Sequence, residues 1–314
     1  MDPNSKKKIG LVGVPLGFGA SQVGSELGVN AMRLSRIRGR RLAEHIEELG
    51  FDVTDHGDVE IVRPPDPAGP DSNPKFLTEI SISLKNTFDK LATIVQAGET
   101  PVILGGDHSI AIGTVSALSA NSRGQGSEMG LIWFDAHADI NTPESSATGN
   151  IHGMPLAILL GHGPGELVSL GGFSPKIDRK YFAHVGARDL DQGERSRVLE
   201  FGLRDNFFTM SDIDKRGMHA CVTDALDIVS KAPGGFAVTF DIDAIDPTFA
   251  PGSGTLVRGG LTYRESHLAL EMIAARGGMA SFEIVEVNPM LDQSNITVEL
   301  ACELILSALG KTIL

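Results

Sequence analysis

The chain predicts a single-domain α/β fold, a three-layer α/β/α arrangement with a mainly parallel central sheet, on three observations. Short apolar runs recur at 9–14, 101–104, 130–134, 181–186, 235–240 and 280–285, and helical patterns separate most of them. Alternation of this kind builds parallel strands covered by helices on both faces. Acids and histidines stand directly after several of the runs, and open parallel sheets bind ligands beyond the carboxyl ends of their strands.

In chain order, strand 9–14 is followed by a helix over 30–49 and a Pro-rich stretch at 63–74. That stretch is a surface loop, either bordering the mouth of a site or serving as a plain connector. A helix over 75–97 leads to strand 101–104, which ends in Gly105-Gly106-Asp107-His108, and a helix follows over 109–120. Strand 130–134 ends in Asp135-Ala136-His137-Ala138-Asp139, and a Gly-rich surface loop over 161–175 precedes strand 181–186. A helix over 211–230 precedes strand 235–240, which ends in Asp241-Ile242-Asp243. A helix over 263–275, strand 280–285 with Glu286 at its end, and a helix over 298–309 complete the pattern. No linker composition or internal repeat interrupts it, so residues 1–314 read as one domain.

Composition excludes several classes. The chain has 314 residues, 41% hydrophobic and 21% charged, and contains no apolar run long enough to span a bilayer. A net charge of −13 makes nucleic acid a poor partner. The polar, basic start before the first strand shows neither a secretory signal nor a long amphipathic presequence, and the expected address is the cytoplasm. Only Cys221 and Cys302 occur, in no metal or redox spacing, so both are expected to be small buried apolar residues.

The three acid- and histidine-bearing segments read as one two-metal site. Each alone could be a turn or a helix cap. Together they place carboxylates and imidazoles at the ends of buried strands, which requires a cation to neutralise them. If 135–139 and 241–243 are extended, side-chain alternation puts Asp135, His137 and Asp139 on one side and Asp241 and Asp243 on another; His108 makes a sixth ligand. Four carboxylates are balanced by two divalent cations and only half by one. Oxygen and imidazole donors without thiolate suit Mn(II), with Co(II), Fe(II), Ni(II) or catalytic Zn(II) behind it.

The segments Gly105-Gly106-Asp107-His108-Ser109, Asp135 through Asn141, Phe240 through Pro247 and Glu286-Val287-Asn288-Pro289 resemble the ureohydrolase superfamily. Within it, Asn141-Thr142-Pro143 followed by Gly149-Asn150-Ile151-His152-Gly153 resembles the arginases, and the similarity runs over nearly the whole chain. The resemblance implies hydrolysis of L-arginine to L-ornithine and urea by a hydroxide between two Mn2+ ions per subunit. One ion would be held by His108, Asp135, Asp139 and Asp241 and the other by Asp135, His137, Asp241 and Asp243, with Asp135 and Asp241 bridging. It further implies three catalytic residues: Glu286 against the guanidinium, His152 shuttling protons to the departing amine, and Asp139. Asn141, Thr148 and Asn150 would read the substrate carboxylate, Asp191 assisted by Glu194 the ammonium, and Thr255 would lie near the guanidinium. Trimers or hexamers of identical subunits are implied too. The alternatives are an agmatinase or other guanidino-acid ureohydrolase, or an arginine-binding homologue without turnover. Thr148 where many relatives carry serine, Ala138 for threonine, Leu256 for proline, and Gly19-Ala20-Ser21-Gln22 without an arginine depart from the family pattern.

Overall fold

Strands apolar along their whole length need cover on both faces, and that requirement organises this molecule. The computed structural model describes residues 6–66 and 72–314. Its strands are β1 (Lys8–Val14), β2 (Arg36–Ile37), β3 (Arg40–Arg41), β4 (Asp52–Asp58), β5 (Thr100–Gly105), β6 (Gly130–Phe134), β7 (Phe182–Val185), β8 (Phe207–Phe208), β9 (Phe236–Asp241) and β10 (Met279–Val285). The helices are α1 (Gly28–Leu34), α2 (Leu42–Glu48), α3 (Leu77–Gln96), α4 (Ala111–Gly124), α5 (Pro155–Leu159), α6 (Gly165–Val168), α7 (Gln192–Glu200), α8 (Met210–Arg216), α9 (Met218–Val229), α10 (Tyr263–Arg276) and α11 (Ile296–Ala308).

Eight strands form one sheet in the order β4-β1-β5-β10-β9-β6-β7-β8, and every neighbouring pair is parallel. Successive residues serve opposite faces. On β5, Val102 and Leu104 join a core with Met32 of α1, Val222 of α9, Leu270 of α10 and Leu304 of α11. Ile103 between them joins Leu84 and Leu91 of α3 on the other face. On β6, Ile132 and Phe134 lie in the first core, while Leu131 and Trp133 pack with Val115 of α4 and Leu156 of α5. The predicted three-layer fold is therefore the observed one. No helix among the described residues is long and apolar enough to cross a membrane.

The departures have local causes. The helix expected over 30–49 stops at Leu34, because Ser35 turns to ψ 143 and the left-handed Arg38 and Gly39 close the β2–β3 hairpin before α2 begins. The helix expected over 211–230 is split by Gly217, at φ 79 and ψ 151, into α8 and α9. The Gly-rich 161–175 stretch is more than a loop, holding α6 and a 3-10 turn at Leu170–Gly172. Residues 67–71 of the Pro-rich stretch lie outside the described residues. Beyond them, Asn73 donates to the carbonyls of Pro143 and Ser146 at 2.7 and 3.2 Å, so this end of the stretch is fastened to the 143–149 loop.

Insertion of β10 and β9 between β5 and β6 brings four carboxyl ends side by side. Close approach of β1 to β5 there depends on Gly106, whose amide donates to Val14 O at 2.9 Å. A Cβ on Gly106 would collide with the Leu16 carbonyl. Gly106→Ala is expected to lower unfolding stability by about 2 kcal/mol or more. Gly124→Ala, where a Cβ meets nothing within 4 Å, is expected to gain up to about 1 kcal/mol. Denaturant midpoints of the two variants check the contrast.

Candidate metal centre and substrate cavity

Beyond β5 the chain makes a tight 3-10 turn, capped by Asp107, whose carboxylate accepts the Ser109 amide at 3.0 Å. The same carboxylate accepts the Gly19 amide at 2.7 Å and ties the first loop to the site. This turn buries His108 completely. Its Nδ1 stands 3.1 Å from Asp135 Oδ2, 3.1 Å from Asp139 Oδ2 and 3.2 Å from Asp241 Oδ2. None of the three is in hydrogen-bond geometry, so the buried Nδ1 has no hydrogen-bond partner. A nitrogen lone pair amid three carboxylate oxygens is an arrangement that a cation resolves.

The second half of the cluster comes from the ends of β6 and β9. His137 Nδ1 lies 3.4 Å from Asp135 Oδ1 and 3.2 Å from Asp243 Oδ2. Ligand atoms of His108, Asp135 and Asp139 fall close enough together to hold one ion, as do those of Asp135, His137 and Asp243. Asp135 is common to both groups; Asp241 belongs to neither but reaches His108. The six predicted ligands therefore converge, though not by strand alternation. β6 ends at Phe134, Asp139 is left-handed at φ 51, and Asp243 sits in a 3-10 turn whose amide is capped by Asp241 Oδ1 at 2.8 Å. Turn geometry does the gathering.

The electrostatics of the cluster show how closely its charges are crowded. Burial, then the charges of Asp243 and Asp135, push Asp241 well above the carboxylate range. Burial and Asp135 push Asp139 up to about 8. Burial opposes ionisation of Asp135 too, but His108 and His137 hold its pKa low. Both imidazoles are raised despite burial, His108 by Asp135, Asp139 and Asp241, His137 chiefly by Asp243. Carboxylates crowded and buried in this way favour a cation among them.

Next to this cluster, Glu286 is left-handed at φ 62 and nearly buried. Its Oε1 accepts the His108 amide at 3.0 Å and meets His152 Nδ1 at 3.0 Å. Burial disfavours the charged imidazole of His152, yet the Glu286 bond and charge, with Asp139 and Asp107 beyond, push its pKa up to about 9. Two residues predicted for separate tasks are therefore bonded to each other.

A cavity of about 260 Å³ opens beside His137, Asp139 and Asp241, and all six predicted substrate contacts line it: Asn141, Thr148, Asn150, Asp191, Glu194 and Thr255. Their hydrogen bonds distinguish free groups from engaged ones. Thr148 Oγ1 accepts the Asn150 amide at 3.2 Å, which leaves its own proton to donate. Asn141 Nδ2 donates to Asp191 Oδ2 at 2.8 Å. Glu194 is engaged in structure, its Oε1 accepting the amides of Ala138 and Asp139 at 3.2 and 2.9 Å, its Oε2 that of Asp191 at 3.0 Å. Thr255 donates to Asp243 Oδ2 at 2.8 Å.

Other neighbours were not picked out from the sequence. Asp189 lines the cavity, and Ser21 exchanges hydrogen bonds with Asn150 at 3.1 and 2.9 Å. Lys75 Nζ reaches Asn150 Oδ1 at 3.4 Å. Arg188 donates to the carbonyls of Asp243 and Val257, each at 2.7 Å, and so fixes the turn after β9. Ser21 belongs to the first loop, noted above for lacking an arginine; only the fold brings the others near.

Comparison with known proteins agrees with the architecture. Residues 7–310 match the Arginase family model. The arginase of Brevibacillus brevis is 40% identical over 308 residues, covering 98% of this chain and 99% of that protein. The solved arginase of Bacillus caldovelox superposes with a TM-score of 0.89 at 39% identity, covering 98% of this chain and 100% of that one. The arginase of Entamoeba histolytica, solved in complex with L-ornithine, gives 0.81 at 29% identity, over 98% and 99% of the two chains. With its fold, its acidic cavity and these likenesses in agreement, the chain belongs to the arginase family.

Proposed function

We propose that this chain hydrolyses L-arginine to L-ornithine and urea with two manganese ions, working in the cytoplasm as a homotrimer or homohexamer. The convergence of six side chains in two adjoining groups, with three carboxylates facing the unpartnered, buried His108 Nδ1, carries the reading. His108, Asp135, Asp139 and Asp241 would hold one ion, and Asp135, His137, Asp241 and Asp243 the other. Bound there, the pair would supply Lewis acidity, lowering the pKa of water toward neutrality so that it could attack a guanidinium carbon. Manganese is the choice because the donors are oxygen and imidazole alone, and the two buried free cysteines are in keeping with a reducing compartment.

The chain's own groups do the rest. Glu286 offers a carboxylate to the planar guanidinium, and to do so it exchanges one cationic partner, His152, for another. His152, raised to about 9 while bonded to Glu286, carries a proton at neutral pH. Freed by the incoming guanidinium, it has that proton to give to the amine nitrogen that leaves as ornithine. Thr148 and the Asn150–Ser21 pair meet the α-carboxylate with neutral donors, and Asp191, already fixed by Asn141, meets the ammonium. Glu194 acts through position, holding the 138–139 backbone and the start of α7.

Urea release from purified, manganese-loaded protein tests this on arginine, agmatine, guanidinobutyrate and formiminoglutamate. Arginine is expected to lead, with agmatine, which lacks the carboxylate, lower in kcat/KM by a factor on the order of 10⁴. A preference for agmatine overturns the substrate assignment, and arginine binding without urea overturns the activity. Asp135→Asn and Asp241→Asn are each expected to lose bound metal, read by elemental analysis, together with activity; wild-type metal content and rate in either variant would refute the shared ligand. Glu286→Gln keeps an oxygen for His108 and is expected to retain both ions while kcat falls about a hundredfold or more. Full activity in that variant excludes Glu286 as the guanidinium partner.

A further inference from the structure

Resting on the proposed metal centre, we infer that Glu283 and Thr239 form a buried relay that fixes the proton of His108 on Nε2 and so presents Nδ1 as a metal-ready lone pair. Three hydrogen bonds carry the inference. His108 Nε2 lies 2.9 Å from Thr239 Oγ1, Thr239 Oγ1 donates to Glu283 Oε1 at 2.7 Å, and Thr114 Oγ1 donates to Glu283 Oε2 at 2.7 Å. Thr239 has one hydroxyl proton and spends it on Glu283. Toward His108 it can only accept, and that requires hydrogen on Nε2. The other nitrogen is then the one facing Asp135, Asp139 and Asp241 with no hydrogen bond.

Position in the sheet makes this arrangement rigid. Glu283 on β10 and Thr239 on β9 are register partners in adjacent parallel strands, and Glu283, Thr239 and Thr114 are all buried. A carboxylate inside an otherwise apolar strand is expensive. Satisfied by two threonines, it contributes no link to the substrate cavity, and its one route to the chemistry is through His108. Reversal of the relay, with a donor in place of Glu283 and Thr239 giving its proton to Nε2, would put hydrogen on Nδ1 and block the metal. Outer hydrogen bonds of this kind change metal affinity by about 10- to 100-fold.

The chain carries its own reporter. Trp133, the only tryptophan, stacks on His108 with ring centroids 4.2 Å apart and donates to Asp135 Oδ2 at 3.0 Å. Manganese(II) chloride titrated into metal-free protein, followed by calorimetry and by Trp133 fluorescence, reads binding at this nitrogen independently of turnover. Thr239→Val and Glu283→Met, which removes the acceptor, are expected to raise the half-saturating manganese concentration about 10- to 100-fold, while Thr239→Ser, which keeps the hydroxyl, stays with the wild type. Thermal melts of the metal-free proteins separate a packing role. A lowered melting temperature with unchanged manganese affinity overturns the relay, as does an unaffected Glu283→Met. A wild-type protein that binds no manganese refutes the metal centre itself, and the relay with it.

Discussion

Four carboxylates and two imidazoles clustered beside one cavity, most of them inaccessible to water, are the constraint on which the rest of this structure depends. Water cannot pay their electrostatic cost there. Burial and mutual repulsion raise Asp139 and Asp241, and divalent cations would relieve that cost. The fold supplies the place: β10 and β9 inserted between β5 and β6 bring four strand ends together. It also supplies strain where geometry demands it, in the left-handed Asp139 and Glu286, each costing on the order of 1–3 kcal/mol.

Positioning is layered outward from that cluster. Asp107 ties the first loop to the turn that holds His108, Arg188 pins the turn that holds Asp243, and Glu194 holds the backbone that presents Asp139. These side chains spend their hydrogen bonds on the main chain. Thr148, by contrast, lines the cavity with a hydroxyl proton still free to donate. Glu283 belongs to the same outward layering on the opposite side of His108.

Much of this was legible in the sequence because parallel strands covered on both faces must be continuously apolar. The run 130–134 matches β6 end to end, and 9–14, 101–104, 181–186, 235–240 and 280–285 each match a strand to within a residue or two. Edge strands carried no such signal. β4, with the sequence DVTDHGD, is polar because it is largely exposed on the rim, and β8 is only two residues long. The broken helix at 30–49 hinged on Arg38 and Gly39 adopting left-handed backbone, which helical periodicity does not reveal. In the site, the residues that converge were readable from spacing, but the means of convergence was not, since tight turns rather than strand alternation bring Asp139 and Asp243 inward. Glu283 and Thr239, isolated polar residues in apolar strands, were visible as anomalies only once register placed them side by side.

Anomalous diffraction from manganese-loaded crystals tests the central claim most directly. Two peaks about 3.5–4 Å apart, ringed by His108, Asp135, His137, Asp139, Asp241 and Asp243, are the predicted result. A single peak, or density elsewhere with those six side chains unliganded, would contradict it.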